Sequence, residues 1–239
     1  MTTDISGFDD SLSRQLEECA RDAGEDVVAY VARAVGTQMV TDLIRAESPS
    51  AKGLLAQLTT AGVFAAEAMP DVSATVNDPD RLRSLYDTGL LDSPPEDKYD
   101  RLTRAAADAL EAPYAAVSLI DVDRQFFKST FGMDGMSAEA RQTPLDQSMC
   151  QYAVANSSPL ILEDARLDPV FKNHPAVLAG AVVAYLGIPL VDADGNAIGT
   201  LCVFDTEPRL WGAGHVQILS DLAYLVAERI FDSGPGSGG

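Results

Sequence analysis

Basic residues are scarce in this 239-residue sequence. It has 17 lysines and arginines against 36 aspartates and glutamates, which gives a formal net charge of −19 at pH 7. Such a charge repels phosphate backbones and anionic membrane surfaces, so it argues against general binding to nucleic acids or membranes. The hydrophobic fraction of 46 % is ordinary for a globular protein, and the chain can therefore bury a core.

Cysteine is also scarce, and its three positions, Cys19, Cys150 and Cys202, are far apart. An odd number of widely spaced cysteines forms neither a disulfide framework nor a CxxC metal pair. The sequence has two histidines, His174 and His215, and their spacing indicates no zinc site. This usage is typical of a reducing compartment, so we predict a cytoplasmic location.

A long apolar run and a secretory leader are missing as well. Residues 1–10 contain neither the basic stretch nor the apolar core of a signal peptide. The longest uncharged run of interest, residues 175–191, is shorter than the ~20 apolar residues of a spanning helix and contains two prolines and two glycines. We interpret it as buried structure and predict no membrane partner.

The N-terminal part of the chain is predicted to be helical. Apolar residues at helical spacing from Leu12 to Ala23 predict a first helix and place Cys19 on its apolar face. Asp10 or Ser11 is the predicted N-cap, because short polar side chains accept hydrogen bonds from the first free amides of a helix.

Two further helices are predicted over residues 27–45 and 54–68. Residues 69–79 have no hydrophobic period and contain two prolines, which indicates a linker. The tail over residues 232–239 is of low complexity, and we predict that it is disordered.

Residues 80–231 follow a different pattern, in which short strands are joined by turns such as Asp194-Gly195. No long helix joins successive strands, so the pattern predicts the α+β class, with an antiparallel sheet and helices segregated to one side. The predicted strands are residues 114–120, 125–131, 160–162, 181–191 and 197–204, with a loop over 132–145. The predicted helices are residues 80–86, one with Pro95 in its first turn, 146–155 and 214–231.

Residues 80–231 also resemble a GAF domain of the subtype found at the front of bacterial signalling proteins. The resemblance implies a six-stranded antiparallel sheet backed by helices, which often dimerises through its terminal helices. In larger relatives such a domain precedes a signalling phosphatase, a histidine kinase or a cyclic-dinucleotide synthase, and we expect no output module within this chain. The resemblance is carried by RLRSLYDTGLLDSPPEDKYDRLTRAAA, VSLIDVDRQFFKSTFG, Ser148-Met149-Cys150, LILEDARLDPVFKNHPAV, AYLGIPLVDADGNAIGTLCVFDTEPR and QILSDLAYLVAERI.

Residues 1–47 resemble a ribbon-helix-helix unit, and residues 48–79 are predicted to hold a helix and the linker. The resemblance is carried by the apolar spacing of the first helix, by a glycine turn and by AYVARAV. DNA-binding members of that class place basic or amide side chains in the major groove from a strand before the first helix. Here the stretch TTDISGFDD has three acids and no base, so a dimerisation element is preferred and a DNA-binding regulator is the alternative.

Cys150 is the first candidate functional residue, because it opens a predicted helix whose N-terminus can lower the pKa of a thiol. The alternatives are a redox-responsive or pocket-lining thiol and a small buried apolar residue. The family's pocket lies between the sheet and its covering loops. The positions that correspond to this pocket imply five ligand contacts: Phe127, Cys150, Asp164, Tyr185 and Leu186. The two aromatic residues can equally be ordinary residues of the hydrophobic core.

The sequence shows no nucleophile–base pair and no glycine-rich phosphate loop, so we predict a non-enzymatic sensor with an unidentified small-molecule ligand and no known cofactor. Some GAF proteins reduce free methionine sulfoxide with several cysteines. Cys150 and Cys202 are 52 residues apart with no third cysteine in the domain, so a reductase is only a second alternative. Cys202 is predicted to be core, and both histidines are predicted to be surface caps rather than haem ligands.

Overall fold

The computed structural model describes residues 9–22, 26–45, 50, 53–54, 57–58, 61, 63, 69–133 and 141–231. The chain divides into two compact units, residues 1–67 with 167–169 and residues 68–166 with 170–239. Residues 1–8 before the first helix, most of the helix predicted over 54–68 and the predicted tail fall outside the described residues.

The described part of the first unit contains two long helices, α1 (Asp10–Asp22) and α2 (Val27–Arg45). The Asp9 carboxylate accepts hydrogen bonds from the backbone amides of the second and third residues of α1, at 3.0 and 2.9 Å. The N-cap therefore lies one residue before the predicted position. Cys19 is exposed, which corrects its assignment to a core, whereas the neighbouring Ala20 is buried.

The second unit is built on a six-stranded antiparallel sheet with the strand order β3-β2-β1-β6-β5-β4. The strands are β1 (Tyr114–Ile120), β2 (Arg124–Phe131), β3 (Gln142–Pro144), β4 (Leu160–Leu162), β5 (Ala184–Val191) and β6 (Ala197–Asp205). The helices are α3 (Ser73–Val76), α4 (Pro79–Asp87), α5 (Asp97–Ala109), α6 (Cys150–Asn156), α7 (Pro175–Leu178) and α8 (Ala213–Phe231). This architecture confirms the predicted α+β class and antiparallel sheet, but the helices pack on both faces of the sheet and are not segregated to one side.

The sheet separates two hydrophobic cores, because successive side chains of a strand point to opposite faces. One core joins the sheet to α5 and α8, and Leu186 and Val203 belong to it. The other core joins the sheet to α6 and the segments around it, and Tyr185 and Cys202 belong to it. The register of each strand therefore decides which candidate residues can share a site.

The structure corrects several predicted boundaries. A three-residue edge strand, β3, lies within the stretch predicted as a loop, where its short length leaves no alternation to detect. The helix predicted over 146–155 is divided into a 3-10 turn, Leu145–Gln147, and α6, because the backbone of Ser148 is extended. Helix α5 begins after Glu96, so Pro95 lies outside its first turn.

Candidate functional site

A cavity of about 240 Å³ lies on the α6 side of the sheet. Its walls are mainly apolar, and Phe127 of β2, Cys150 of α6, Tyr185 of β5 and Cys202 of β6 contribute to them. Helix α7 and the segment after it also line the cavity. A cavity with apolar walls and a few polar groups is the usual form of a small-molecule site.

Two thiols meet at this cavity. Cys150 is the first residue of α6, Cys202 lies in the middle of β6, and both are buried. Their Sγ atoms are 4.0 Å apart, which is within hydrogen-bonding distance for sulfur. The phenol of Tyr185 donates a second hydrogen bond to the Cys150 Sγ at 3.1 Å. Cys150 therefore lies at the centre of a small polar cluster, between the Cys202 thiol and the Tyr185 phenol.

The pKa values of the two thiols are shifted in opposite directions. The hydrogen bond from Cys202 is the main cause that lowers the pKa of Cys150; the hydroxyls of Thr200, Tyr185 and Ser118 lower it further, and burial opposes them. The same contact with Cys150, together with burial, raises the pKa of Cys202. The Tyr185 phenol also has a raised pKa, because it is buried and faces Cys150. The cluster thus favours a thiolate on Cys150 and a proton on Cys202.

A buried polar network holds the segment before α6 against the sheet. The amide of Gln125 in β2 donates to the hydroxyl of Ser118 in β1 at 3.1 Å, and the Ser148 hydroxyl donates to the carbonyl of the same amide. Gln151 donates to the backbone carbonyls of Leu145 and Ser148, at 2.6 and 3.1 Å. These contacts fix the position of Cys150 over the sheet.

Thr200 adds an unusual polar group beside the thiols. Its hydroxyl is fully buried and makes no hydrogen bond of standard geometry within the part of the chain that the structure describes. It is close enough to both sulfur atoms to favour their thiolate forms. A buried hydroxyl without a regular partner is costly, so it is available to a charged or polar group that forms at the sulfur pair.

The histidines only partly follow the prediction. His174 is fully buried rather than at the surface, and its Nδ1 accepts a hydrogen bond from the Ala176 amide at 3.2 Å, which caps α7. Burial among Tyr152 and Phe171 lowers the pKa of His174. The Nδ1 of His215 accepts from the backbone amide three residues earlier, at 3.1 Å, which is also a cap.

Two of the five predicted contacts do not line this cavity. Leu186 follows Tyr185 on β5, so it points to the opposite face and lies in the core with α5 and α8. Asp164 instead forms a bidentate ion pair with Arg166, at 2.8 and 2.7 Å. The structure brings together Phe127, Cys150 and Tyr185 and adds Cys202, which the sequence argument had assigned to the core alone.

Neither a metal centre nor a spanning helix is found in the described ranges. No group of three or more histidine, cysteine, aspartate or glutamate residues among them is arranged to hold a metal ion. None of the described helices is both long and apolar enough to cross a bilayer.

The fold is that of a small α+β domain with an apolar cavity on one face of its antiparallel sheet. The family model described as the GAF domain matches residues 94–230, which is more than half of the chain. The chain therefore belongs to the GAF domain family.

One curated relative is the cyclic di-GMP phosphodiesterase PA2567 of Pseudomonas aeruginosa, which is 35% identical over 144 residues. The match covers 59% of this chain and 24% of that protein, so the chain spans about a quarter of the relative's length. The GAF domain of an Acinetobacter phosphoenolpyruvate-protein phosphotransferase is 16% identical with a TM-score of 0.48, over 65% of this chain and 96% of that one. A type II free methionine-R-sulfoxide reductase from Thermoplasma acidophilum is 14% identical with a TM-score of 0.44, over 57% and 94%.

Proposed function

We propose that this chain is a non-enzymatic sensory module of a bacterial signalling protein, which binds a small molecule in the cavity beside Cys150. The observation that carries the proposal is the cavity itself, which has apolar walls and is also lined by the buried thiols of Cys150 and Cys202 and the phenol of Tyr185. Phe127 and Tyr185 supply flat apolar surface, and the thiols and hydroxyls supply the polar contacts that orient a ligand.

The signal passes from the cavity to an output partner in this proposal. Because the phosphodiesterase relative is about four times longer than the matched segment, we propose that the module regulates a cytoplasmic signalling enzyme. That enzyme is a phosphodiesterase, a phosphatase or a kinase. Membership of the GAF family supports the sensory role, and the negative charge argues against the DNA-binding alternative.

The relay runs through a homodimer formed by the terminal helices. Helix α8 carries three partly or largely exposed hydrophobic side chains, Ile218, Tyr224 and Leu225, whose exposed fractions are 40%, 65% and 39%. Residues of this kind on one helix favour a contact with a second helix. A change in the sheet beneath α8 then alters the packing at that contact.

Native mass spectrometry of the freshly purified full chain tests the ligand part. We expect an additional non-covalent mass that disappears under denaturing conditions. Ala181 is an exposed residue that lines the cavity, so the larger side chain of the Ala181→Leu variant should narrow the cavity opening, and the added mass should be lost. Ala193→Leu is the matched control, because Ala193 lies in the exposed turn between β5 and β6 and should leave the bound mass unchanged. Retention of the mass by Ala181→Leu would place the ligand elsewhere, and no added mass in the wild-type chain would contradict a co-purifying ligand.

A further inference from the structure

We propose that Cys150 and Cys202 form a redox-active dithiol, which a hydroperoxide oxidises to an intramolecular disulfide at the inner wall of the cavity. The proposal rests on the proposed function, because it gives the same sensory cavity a second, covalent input. Three observations carry it: the distance between the sulfur atoms, the asymmetry of the polar groups around them, and their access to the cavity.

The distance permits a disulfide after a small movement. The sulfur atoms are 4.0 Å apart, and a disulfide bond needs about 2 Å, so they must approach by roughly 2 Å. Cys150 is the first residue of α6, where the contact between Ser148 and Gln125 holds the backbone, so its side chain turns toward Cys202. Cys202 is held between neighbouring strands, opposite Ala116 and Gly187. We therefore expect the Cys150 sulfur to move toward the Cys202 sulfur, which stays in place.

The surroundings assign a different role to each thiol. Cys150 accepts a hydrogen bond from the Tyr185 phenol and shares one with the Cys202 thiol, and the Thr200 hydroxyl is close by. These donors favour the thiolate, which is the nucleophilic form of cysteine. The Tyr185 phenol, 3.1 Å from the Cys150 Sγ, stabilises a thiolate there, so we assign the first reaction with the oxidant to Cys150 and the resolving role to Cys202.

The chemistry is balanced with a hydroperoxide as the oxidant. The Cys150 thiolate attacks the terminal peroxide oxygen, an S–O bond forms, and the O–O bond breaks to release hydroxide from hydrogen peroxide or an alkoxide from an organic hydroperoxide. The Cys202 sulfur then attacks the sulfur of the sulfenic acid, so that the S–S bond forms and the S–O bond breaks. The hydroxyl group leaves with the proton of Cys202 as water. The two sulfur atoms together lose two electrons, and the peroxide gains them.

The cavity explains how the oxidant reaches a buried pair and how oxidation alters the site. Both cysteines line the cavity, so a molecule as small as hydrogen peroxide approaches them through it. Disulfide formation removes the Cys150 thiolate, so the Tyr185 phenol loses its charged acceptor. The ring of Tyr185 lies against Gly187, where a Cβ atom would be only 2.4 Å from the phenol oxygen. The phenol therefore turns toward the cavity to find a new partner, and the shape of the site changes.

The test uses the full chain with Cys19→Ser, so that the exposed third thiol does not react. The protein is treated with hydrogen peroxide, and its remaining free thiols are labelled with a maleimide under denaturing conditions. The mass of the intact chain is then measured by mass spectrometry. We expect a product that has lost two hydrogen atoms and carries no label, and a return to double labelling after reduction with dithiothreitol. Full maleimide labelling of both cysteines after exposure, or direct oxidation of Cys150 to a sulfinic acid without a disulfide, would overturn the proposal.

Three variants then separate the roles of the groups. In Cys202→Ser, a sulfenic acid should accumulate on Cys150 and be trapped by dimedone. In Cys150→Ser, Cys202 should stay reduced at the same peroxide concentration. Tyr185→Phe should retain the fold but slow the oxidation several-fold, because a donor to the thiolate is lost. Equal rates for Cys150→Ser and the parent chain would refute the assignment of Cys150 as the first thiol to react.

The outcome is distinguishable from that of the ligand experiment. The non-covalent mass is measured on the reduced wild-type chain, and disulfide closure is measured separately, after peroxide treatment of a chain without bound ligand. Disulfide formation in a chain that carries no non-covalent ligand would support the redox proposal and contradict the small-molecule proposal. A bound ligand together with two thiols that stay reduced after peroxide treatment would support the small-molecule proposal and contradict the redox proposal.

Discussion

Lys128 is a lysine in the middle of β2 whose side chain is almost completely buried. Its Nζ donates to the Ser93 hydroxyl at 2.6 Å and to the Pro94 carbonyl at 2.7 Å, and it forms an ion pair with Glu96 at 2.7 Å. The ammonium also lies over the ring of Tyr99, 5.3 Å from its centroid. A buried charge is tolerated only with such partners, and here they bind the segment before α5 to the sheet.

Glu96 should make the stability of the protein dependent on pH. Hydrogen bonds from Lys128 and Lys98 lower the pKa of Glu96, with Lys128 as the larger cause, although burial opposes them. A lowered pKa in the folded state stabilises the protein above the ordinary pKa of glutamate, and the gain is lost as the pH falls through the lowered value. Because the side chain is 38% exposed, we expect a contribution below about 1 kcal/mol.

Urea unfolding of the wild-type chain and of Glu96→Gln between neutral and acidic pH measures this effect. The wild-type chain should be more stable at pH 7, and the two curves should converge in the acidic range. A constant difference across the whole pH range would show that the charge of Glu96 does not contribute.

Arg81 is a second buried cation, and a neighbouring arginine provides its control. The Arg81 guanidinium donates to the backbone carbonyls of Val76 and Ile120, at 2.8 and 2.9 Å, and so joins the α3–α4 segment to β1. Arg81→Met leaves these carbonyls without their donor and should cost about 2–3 kcal/mol. Arg83→Met removes a side chain that is 67% exposed and should change stability by less than about 0.5 kcal/mol. Similar losses in both variants, measured by urea unfolding, would contradict this explanation.

At the scale of elements, β1 and β6 approach each other unusually closely at Gly199. A Cβ atom at this position would be 2.0 Å from the Ser118 carbonyl oxygen of β1. The pairing of β5 with β6 changes register beside it, where Leu190 faces Gly199 and Val191 faces Ala197. The central strands therefore require a residue without a side chain, and Ser118 on β1 belongs to the group around Cys150.

Gly199→Ala should destabilise the sheet by about 1–3 kcal/mol, because the backbone must move to relieve the clash. The matched control is Gly214→Ala in α8, where a Cβ atom would meet nothing within 4 Å. Alanine favours helices, so the control should be neutral or more stable by up to about 1 kcal/mol. Thermal unfolding of the two variants compares them, and an unchanged melting temperature for Gly199→Ala would contradict the close approach.

At the scale of the whole molecule, the net charge of −19 is the dominant long-range property. Nucleic acids bind proteins chiefly through contacts between phosphates and basic residues, and these contacts are opposed here by the field of the whole chain. We expect no retardation of DNA fragments in a gel shift even at low ionic strength. Retardation by the intact chain that disappears when residues 1–79 are deleted would contradict this prediction and support the ribbon-helix-helix alternative.

Local patterns in the sequence determined much of the fold. The boundaries of β1 and β4 and those of α2 match the predicted ranges. These elements follow from alternation, from helical spacing and from turn residues, which are all interactions over a few positions. The identity of Cys150 as a candidate also came from the sequence, through a family motif.

The tertiary structure alone decided which residues form the site. Cys202 lies next to Cys150 only because β6 passes beneath the first turn of α6. The two residues are 52 positions apart in the sequence. Leu186 is excluded because the register of β5 turns it to the other core, and a shift by one residue would reverse that result. His174 is buried by segments that cover it from elsewhere in the chain. Long-range packing and strand register set these outcomes, and no local pattern in the sequence encodes them.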